Sequence, residues 1–228
     1  MNKKDLFFAL IVILLFAPFF LSDTVYSSYV SFNSAHGMLT SFLKFAILST
    51  MGELLGLRIS SGRYYYRGFG VLPRAVVWGI LGMGINMAII IFSTGVPAFA
   101  AYMGVESPGQ IMEGGLCLDK VLLAFGISVA MNSIFAPVFM TLHKITDTHI
   151  LNNGGSLRAL VTPIKMGEIM QHINWRVQWG FVFKKTIPFF WFPAHTITFL
   201  LPGEMRVLFA ALLGVMLGII LAVAARKG

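Results

Sequence analysis

Apolar runs close to twenty residues long recur along the chain, and their recurrence constrains the fold more than any motif does. About twenty helical residues cross the hydrocarbon core of a bilayer, where backbone polar groups must be satisfied within the chain. Six runs qualify, at residues 6–21, 38–57, 71–94, 116–142, 187–201 and 205–225. The fifth is short and is punctuated by Pro188, Pro193 and Pro202. Charged residues make up only 11% of the chain, against about a quarter in a soluble domain. The expected fold is an all-α polytopic membrane bundle of six spans, with the lipid bilayer as its principal partner.

Basic residues set the expected orientation. Lys3 and Lys4 precede the first run, Arg58, Arg63, Arg67 and Arg74 follow the second, and Arg226 and Lys227 end the chain. The connection after the fourth run holds Lys144, Arg158, Lys165, Arg176, Lys184 and Lys185. With both termini inside, these residues place 14 of the 17 Lys and Arg on one face of the membrane. The opposite loops carry Asp23, Glu106, Glu113 and Glu204, with Arg206 their one basic residue. This is the asymmetry of the positive-inside rule, so the net charge of +8 reads as topology and not as a nucleic-acid surface.

The first run follows "MNKKD" and lacks a convincing small-residue cleavage site, which makes it a retained signal anchor. Residues 1–37 then form an anchor helix and an outer loop, and residues 38–228 form the bundle. A bacterial inner membrane is the expected location, with an organelle membrane as the alternative.

The connection at about 143–183 is too polar to cross lipid, and Asn152 to Gly155 mark a break within it. Beyond Pro163, Ile169, Ile173, Val177 and Gly180 recur at helical spacing, with Trp175 and Trp179 four residues apart. That pattern fits a helix lying at the membrane surface, where indole rings act as interface anchors, or a small helix packed on the bundle. Gly79, Gly82 and Gly84 in the third run, and Gly214 and Gly218 in the sixth, permit close helix approach. They serve packing within one chain or a homo-oligomer face.

Polar groups inside apolar runs are the candidate functional residues. Glu53, Asn86, Asn132 and His195 fall within four of the six runs. A carboxylate in the membrane faces other helices or water, so Glu53 calls for a partner such as Asn86, Asn132 or His195. The four either lock the bundle or line a hydrated path. In the second case His195 would titrate with flux, aided by a nearby Glu53. His143, Asp147 and His149 cluster at the end of the fourth run, with His143 and Asp147 on one helical face, but a metal site needs more ligands than these supply. Arg74 and Arg206 each precede a glycine by eight residues, in runs of opposite direction, a weak sign of an inverted repeat. One cysteine, Cys117, excludes an intramolecular disulfide framework. No phosphate loop, dinucleotide fingerprint or serine elbow is present, so neither a cofactor nor an enzymatic activity is expected.

A series of segments in fixed order gives a further lead: "LSTMGELLGL", "RGFGVLPRAVVWGILGMG", "LDKVLLAFGISVAMNSIFAPVF" and "WFPAHTITFLLPGEMRVLF". The series resembles the Mpv-seventeen / peroxisomal membrane protein twenty-two family over residues 38–228. Gly52 and Glu53 fall at the family's Gly-Asp, and Lys120 and Pro137 fall in its third helix. Trp191, Pro193, His195, Thr198, Phe199, Pro202 and Arg206 fall along its C-terminal signature. The chain departs from that signature where Phe192 separates Trp191 from Pro193, where His195 replaces Gln and where Thr198 replaces Asn. The resemblance implies a helical bundle in a membrane and weakly selective passage of small solutes. A small channel or transporter for a small molecule or ion is the expected function. A non-transporting membrane scaffold or stress-response protein is the alternative. Arg206 in either case serves as an anchor to headgroup phosphates or to carbonyls at a helix end.

Overall fold

A computed structural model describes residues 3–225; Arg226 and Lys227, assigned above to the inner face, lie outside the described residues, as does Met1. The described residues are mostly helical, with no strand among them. Among the described residues four helices are long and apolar enough to cross a membrane: α1 (Lys3–Leu21), α3 (Gly37–Ser61), α4 (Val71–Tyr102) and α6 (Leu118–Asn152), with the short α5 (Pro108–Glu113) between the last two.

The chain divides into two compact units, residues 1–40 and 41–228. In the first, α1 buries no residue, and Phe7, Leu14 and Phe20 stand exposed, as lipid contact requires. The region expected as an outer loop is instead α2 (Asp23–Ala35). Ser22 caps it, its hydroxyl accepting from the Val25 amide at 3.4 Å, and Asp23 lies in the first turn where the helix dipole favours a negative charge. No glycine or proline interrupts the stretch before Gly37, so a helix is available despite its serines.

The second unit holds the bundle. Residues 41–61 of α3 pack on α4 through glycines. A Cβ on Gly82 would lie 2.4 Å from the Phe45 Cβ, and one on Gly79 would lie 2.4 Å from the Phe42 ring. The other face of α3 meets α10 (Gly203–Ala225), where Gly52 and Gly56 lie opposite Val215 and Gly218. The glycine spacing is therefore used within the chain, and of the four glycines in α4, Gly84 and Gly95 face open space.

Both α4 and α6 outrun the membrane. Their 32 and 35 residues amount to about 48 and 52 Å at 1.5 Å per residue, against about 30 Å of hydrocarbon. Pro137 sits inside α6 without ending it, and the Thr141 hydroxyl donates to the Pro137 carbonyl at 2.7 Å. The helix stops at Asn152, where Gly154 and Gly155 take left-handed backbone angles. The Gly155 turn and the Gly68–Gly70 turn before α4 approach so closely that a side chain at Gly155 would meet the Gly68 carbonyl at 2.4 Å.

One expected helix is two. The stretch beyond Pro163, read as one helix lying at the membrane surface or packed on the bundle, breaks at residues 172–174, leaving α7 (Met166–Gln171) and α8 (Trp175–Val177). Asn174 caps α8, its side chain accepting from the Val177 amide at 3.2 Å. Ile169 and Ile173 pack on Ile145 of α6, which seats α7 against the bundle. From α8 the chain stays helical through a wide π-helical segment (Gln178–Trp191) and α9 (Phe192–Leu200). Trp175 and Trp179 thus open a long helical stretch instead of lying on a separate surface helix. The π pitch, with its five-residue hydrogen-bond spacing, keeps Gln178, Val182, Thr186 and Trp191 along one face. That face looks into the cavity described next.

Candidate functional site

Three helices each bring charge to one point in the second unit. Glu53 stands two turns from the end of α3, Arg74 in the first turn of α4 and Asp147 near the end of α6. Arg74 is buried, and its Nη1 meets Glu53 Oε2 at 2.8 Å and also the Asp147 carboxylate. Its Nε donates to the Phe69 carbonyl at 2.7 Å, and the guanidinium stacks 4.4 Å from the Phe69 ring centroid. Trp78, one turn along α4, donates its indole N–H to Glu53 Oε1 at 2.9 Å. His143 Nε2 lies 3.6 Å from the same oxygen, and its ring meets Trp78 edge-on at 4.3 Å.

A buried guanidinium with carboxylates only about one-fifth exposed is stable when the charges are paired and hydrogen-bonded. Glu53 meets that requirement with two hydrogen-bond donors, Arg74 and Trp78, and has the His143 ring 3.6 Å away. The partners expected for it, Asn86, Asn132 and His195, are not the ones it has. Among the described residues Asp147 has one charged partner, Arg74.

A cavity of about 680 Å³ runs from this cluster into the bundle. Glu53, Arg74, His143, Lys144 and Asp147 mark one part of it, and Asn132 and His195 another. Asp147 and Asn132 are 15 residues apart on α6, so the wall extends about 22 Å along that helix. Between them the lining is largely aromatic and aliphatic, with Trp78, Phe135, Phe139, Phe181 and Trp191 among it.

The structure therefore brings three of the four proposed path residues, Glu53, Asn132 and His195, to one cavity, and leaves the fourth outside its wall. Asn86 is buried elsewhere on α4. Asn132 donates to the Ser128 carbonyl at 2.8 Å, and the Ser128 hydroxyl donates to the Phe192 carbonyl at 2.8 Å, tying α6 to α9. His195 Nδ1 contacts the Thr198 hydroxyl at 3.3 Å, and the imidazole stacks on Trp191 at 5.1 Å and 15°. The buried Trp191 indole N–H lacks a hydrogen-bond partner. No carboxylate is paired with His195 among the described residues; the imidazole beside Glu53 is His143.

The remaining candidates are placed as follows. His149 leaves the His143–Asp147 face and bonds the Ala159 carbonyl at 3.0 Å. Among the described residues no three of His, Cys, Asp and Glu could hold a metal ion. Arg206 donates to the carbonyls of Leu201 and Phe199, at 3.0 and 3.3 Å, and so caps the end of α9. Arg74 and Arg206 thus have different tasks, which removes the functional content of the inverted-repeat reading. Lys120 donates to the Gly114 carbonyl at 2.6 Å before α6. Pro193 lies at the start of α9, Phe199 is fully buried beneath it, and Pro202 with Gly203 turns the chain into α10.

Arg74, Trp78, His143 and Asp147 form the centre of the site, yet none of them stands out in that role from sequence. A signal is there: Arg74 and Trp78, and His143 and Asp147, are i, i+4 pairs, each on one helical face. Compared with family models, with curated proteins and with solved structures, the chain matches none.

Proposed function

We propose that the protein is a small, weakly selective channel or transporter for small solutes. The observation that carries this reading is the 680 Å³ cavity with paired charges at one part and aromatic walls beyond. Its volume falls in the range of about 300–1,000 Å³ typical of ligand sites, and its lining has their character of apolar walls with a few convergent polar groups. Ionisable side chains within a membrane bundle mark solute or ion pathways by default. The resemblance to the Mpv-seventeen family, resting on the quoted segments alone, points the same way.

In this reading six segments cross a bacterial inner membrane, with α9 and its preceding π segment as the fifth and α10 as the sixth. Both termini face the cytoplasm, and the Glu53–Arg74–Asp147 cluster forms the inner vestibule. Purified protein in liposomes is expected to release small polar solutes faster than empty liposomes. Absence of release from folded protein, across neutral, anionic and cationic solutes, sinks the reading. The cluster itself favours the second reading, a scaffold: Arg74 and its two carboxylates would lock three helices whether or not anything passes.

The topology has its own test. In a Cys117→Ser background, cysteines near Asp23 and Glu106 are expected to react with an impermeant thiol reagent added to intact cells. One introduced at Asn153 is expected to react only after lysis. Ready labelling of the Asn153 site from outside contradicts both termini being inside.

A further inference from the structure

The charges in the cavity are unequal. Glu53 and Asp147 face one guanidinium, that of Arg74, and Arg74 also spends its Nε on the Phe69 carbonyl. His143 adds a positive charge only when protonated. Lys144, the other cation on the wall, is exposed at its edge. With a neutral imidazole, the interior cluster drawn from α3, α4 and α6 therefore carries one surplus negative charge. The π segment adds Gln178 and Thr186 to the wall, and α10 adds glycines and Leu217, none of them charged.

The surplus belongs to Asp147. Glu53 accepts from two donors, Arg74 and Trp78, with the His143 ring 3.6 Å away. Among the described residues Asp147 has Arg74 alone as a charged partner, and both carboxylates are about one-fifth exposed. The residues one and two turns away on α6, His143 and Phe139, lie on the same wall, and Phe135, Trp78 and Phe181 add further rings. A carboxylate with spare capacity beside aromatic faces is the chemistry that holds an organic cation, because ring faces attract positive charge in a desolvated site. An anion would have to displace a carboxylate from Arg74.

We propose that the cavity is a binding site for a lipophilic organic cation, whose charge pairs with Asp147 while its apolar groups pack on Phe135, Phe139 and Trp78. This rests on the cavity being the solute path, and it names the class of solute that path would favour.

Tetraphenylphosphonium and tetraphenylborate share a shape and differ in sign, so they separate charge from size. Binding to the purified full-length chain in detergent at pH 8 is followed by quenching of tryptophan fluorescence, with a protein-free micelle control. Saturable tetraphenylphosphonium binding is expected, weakened about tenfold by Asp147→Asn, the loss of one charge-pair interaction of about 1.4 kcal/mol. Tetraphenylborate affinity is expected to be unchanged or improved by the same substitution. Should Asp147→Asn not fold, Phe135→Leu keeps every charge, removes a ring face and is expected to weaken the cation severalfold and the anion no more than the loss of contact area allows. Equal tetraphenylphosphonium affinity in the parent and a folded Asp147→Asn, or a parent that binds only the borate, overturns the proposal. Release of a neutral solute from liposomes, measured in parallel, tests the transport reading separately: flux without cation binding overturns this inference alone.

Discussion

Replacing Arg74 by leucine is expected to destabilise the bundle more than any other single change near the site. The substitution leaves Glu53 and Asp147, from α3 and α6, without the cation between them. Removing one partner of a buried ion pair costs about 3–5 kcal/mol, because the remaining charge stays desolvated and unpaired. Arg74→Lys is expected to recover only part of this. A lysine keeps the charge but lacks the planar fork that reaches two carboxylates and the Phe69 carbonyl together. Neutralising Glu53 in the Arg74→Leu background removes one stranded charge and should restore some stability, so the two effects must be non-additive. Unfolding of the purified variants in mixed detergent micelles measures this. Additive losses for Arg74→Leu and Glu53→Gln would mean that the pair does not act as a unit.

The second large effect is expected at Gly82. An alanine Cβ there would fall 2.4 Å from the Phe45 Cβ, next to the α3 backbone, so the neighbour cannot swing aside as the far end of a ring could. The helices must separate, at a cost of about 1–3 kcal/mol typical of overpacking. Gly84, two residues away on the same helix, meets nothing within 4 Å. Gly84→Ala should be neutral or stabilise by roughly 0.5–1 kcal/mol through helix propensity. Thermal melts of the two alanine variants give the comparison. Equal melting temperatures would contradict the close α3–α4 approach.

The four long apolar helices are legible because length and hydropathy alone specify them. A run such as 71–94 leaves the backbone one way to satisfy itself in lipid, and α4 contains that run. Their ends are not legible, since α4 and α6 continue past their apolar stretches for reasons that lie in packing and turns. The serine-rich α2 escapes notice because its composition resembles a loop, although Ser22 caps it. The π segment escapes for a different reason: hydrophobic spacing read at 3.6 residues per turn does not describe a helix with a five-residue hydrogen-bond repeat.

At the site, residue type is easier to read than partnership. Glu53 stands out as a charge within an apolar run, and its need for a partner follows from desolvation. Which partner depends on register. Glu53 lies near the end of one helix and Arg74 near the start of the next, so the nine-residue connection at 62–70 brings the two together. In sequence Arg74 reads as a topology signal and as half of a weak repeat, and His143 and Asp147 only as an incomplete metal site. The imidazole stacked on Trp191 and the one beside Glu53 cannot be told apart by sequence position.

The central claim is that the cavity is a hydrated route for solute, and Val182 tests it most directly. This residue lines the cavity from the π segment, which brings no charged side chain to the wall. A Val182→Cys variant in a Cys117→Ser background is reconstituted in liposomes, and release of a small polar solute is measured before and after reaction with a bulky water-soluble maleimide. The account predicts that the introduced thiol reacts from the aqueous phase and that modification stops release, while Cys117→Ser protein lacking the new cysteine is unaffected. A thiol that stays unreactive in the folded variant, or release that continues unchanged after full modification, would contradict it.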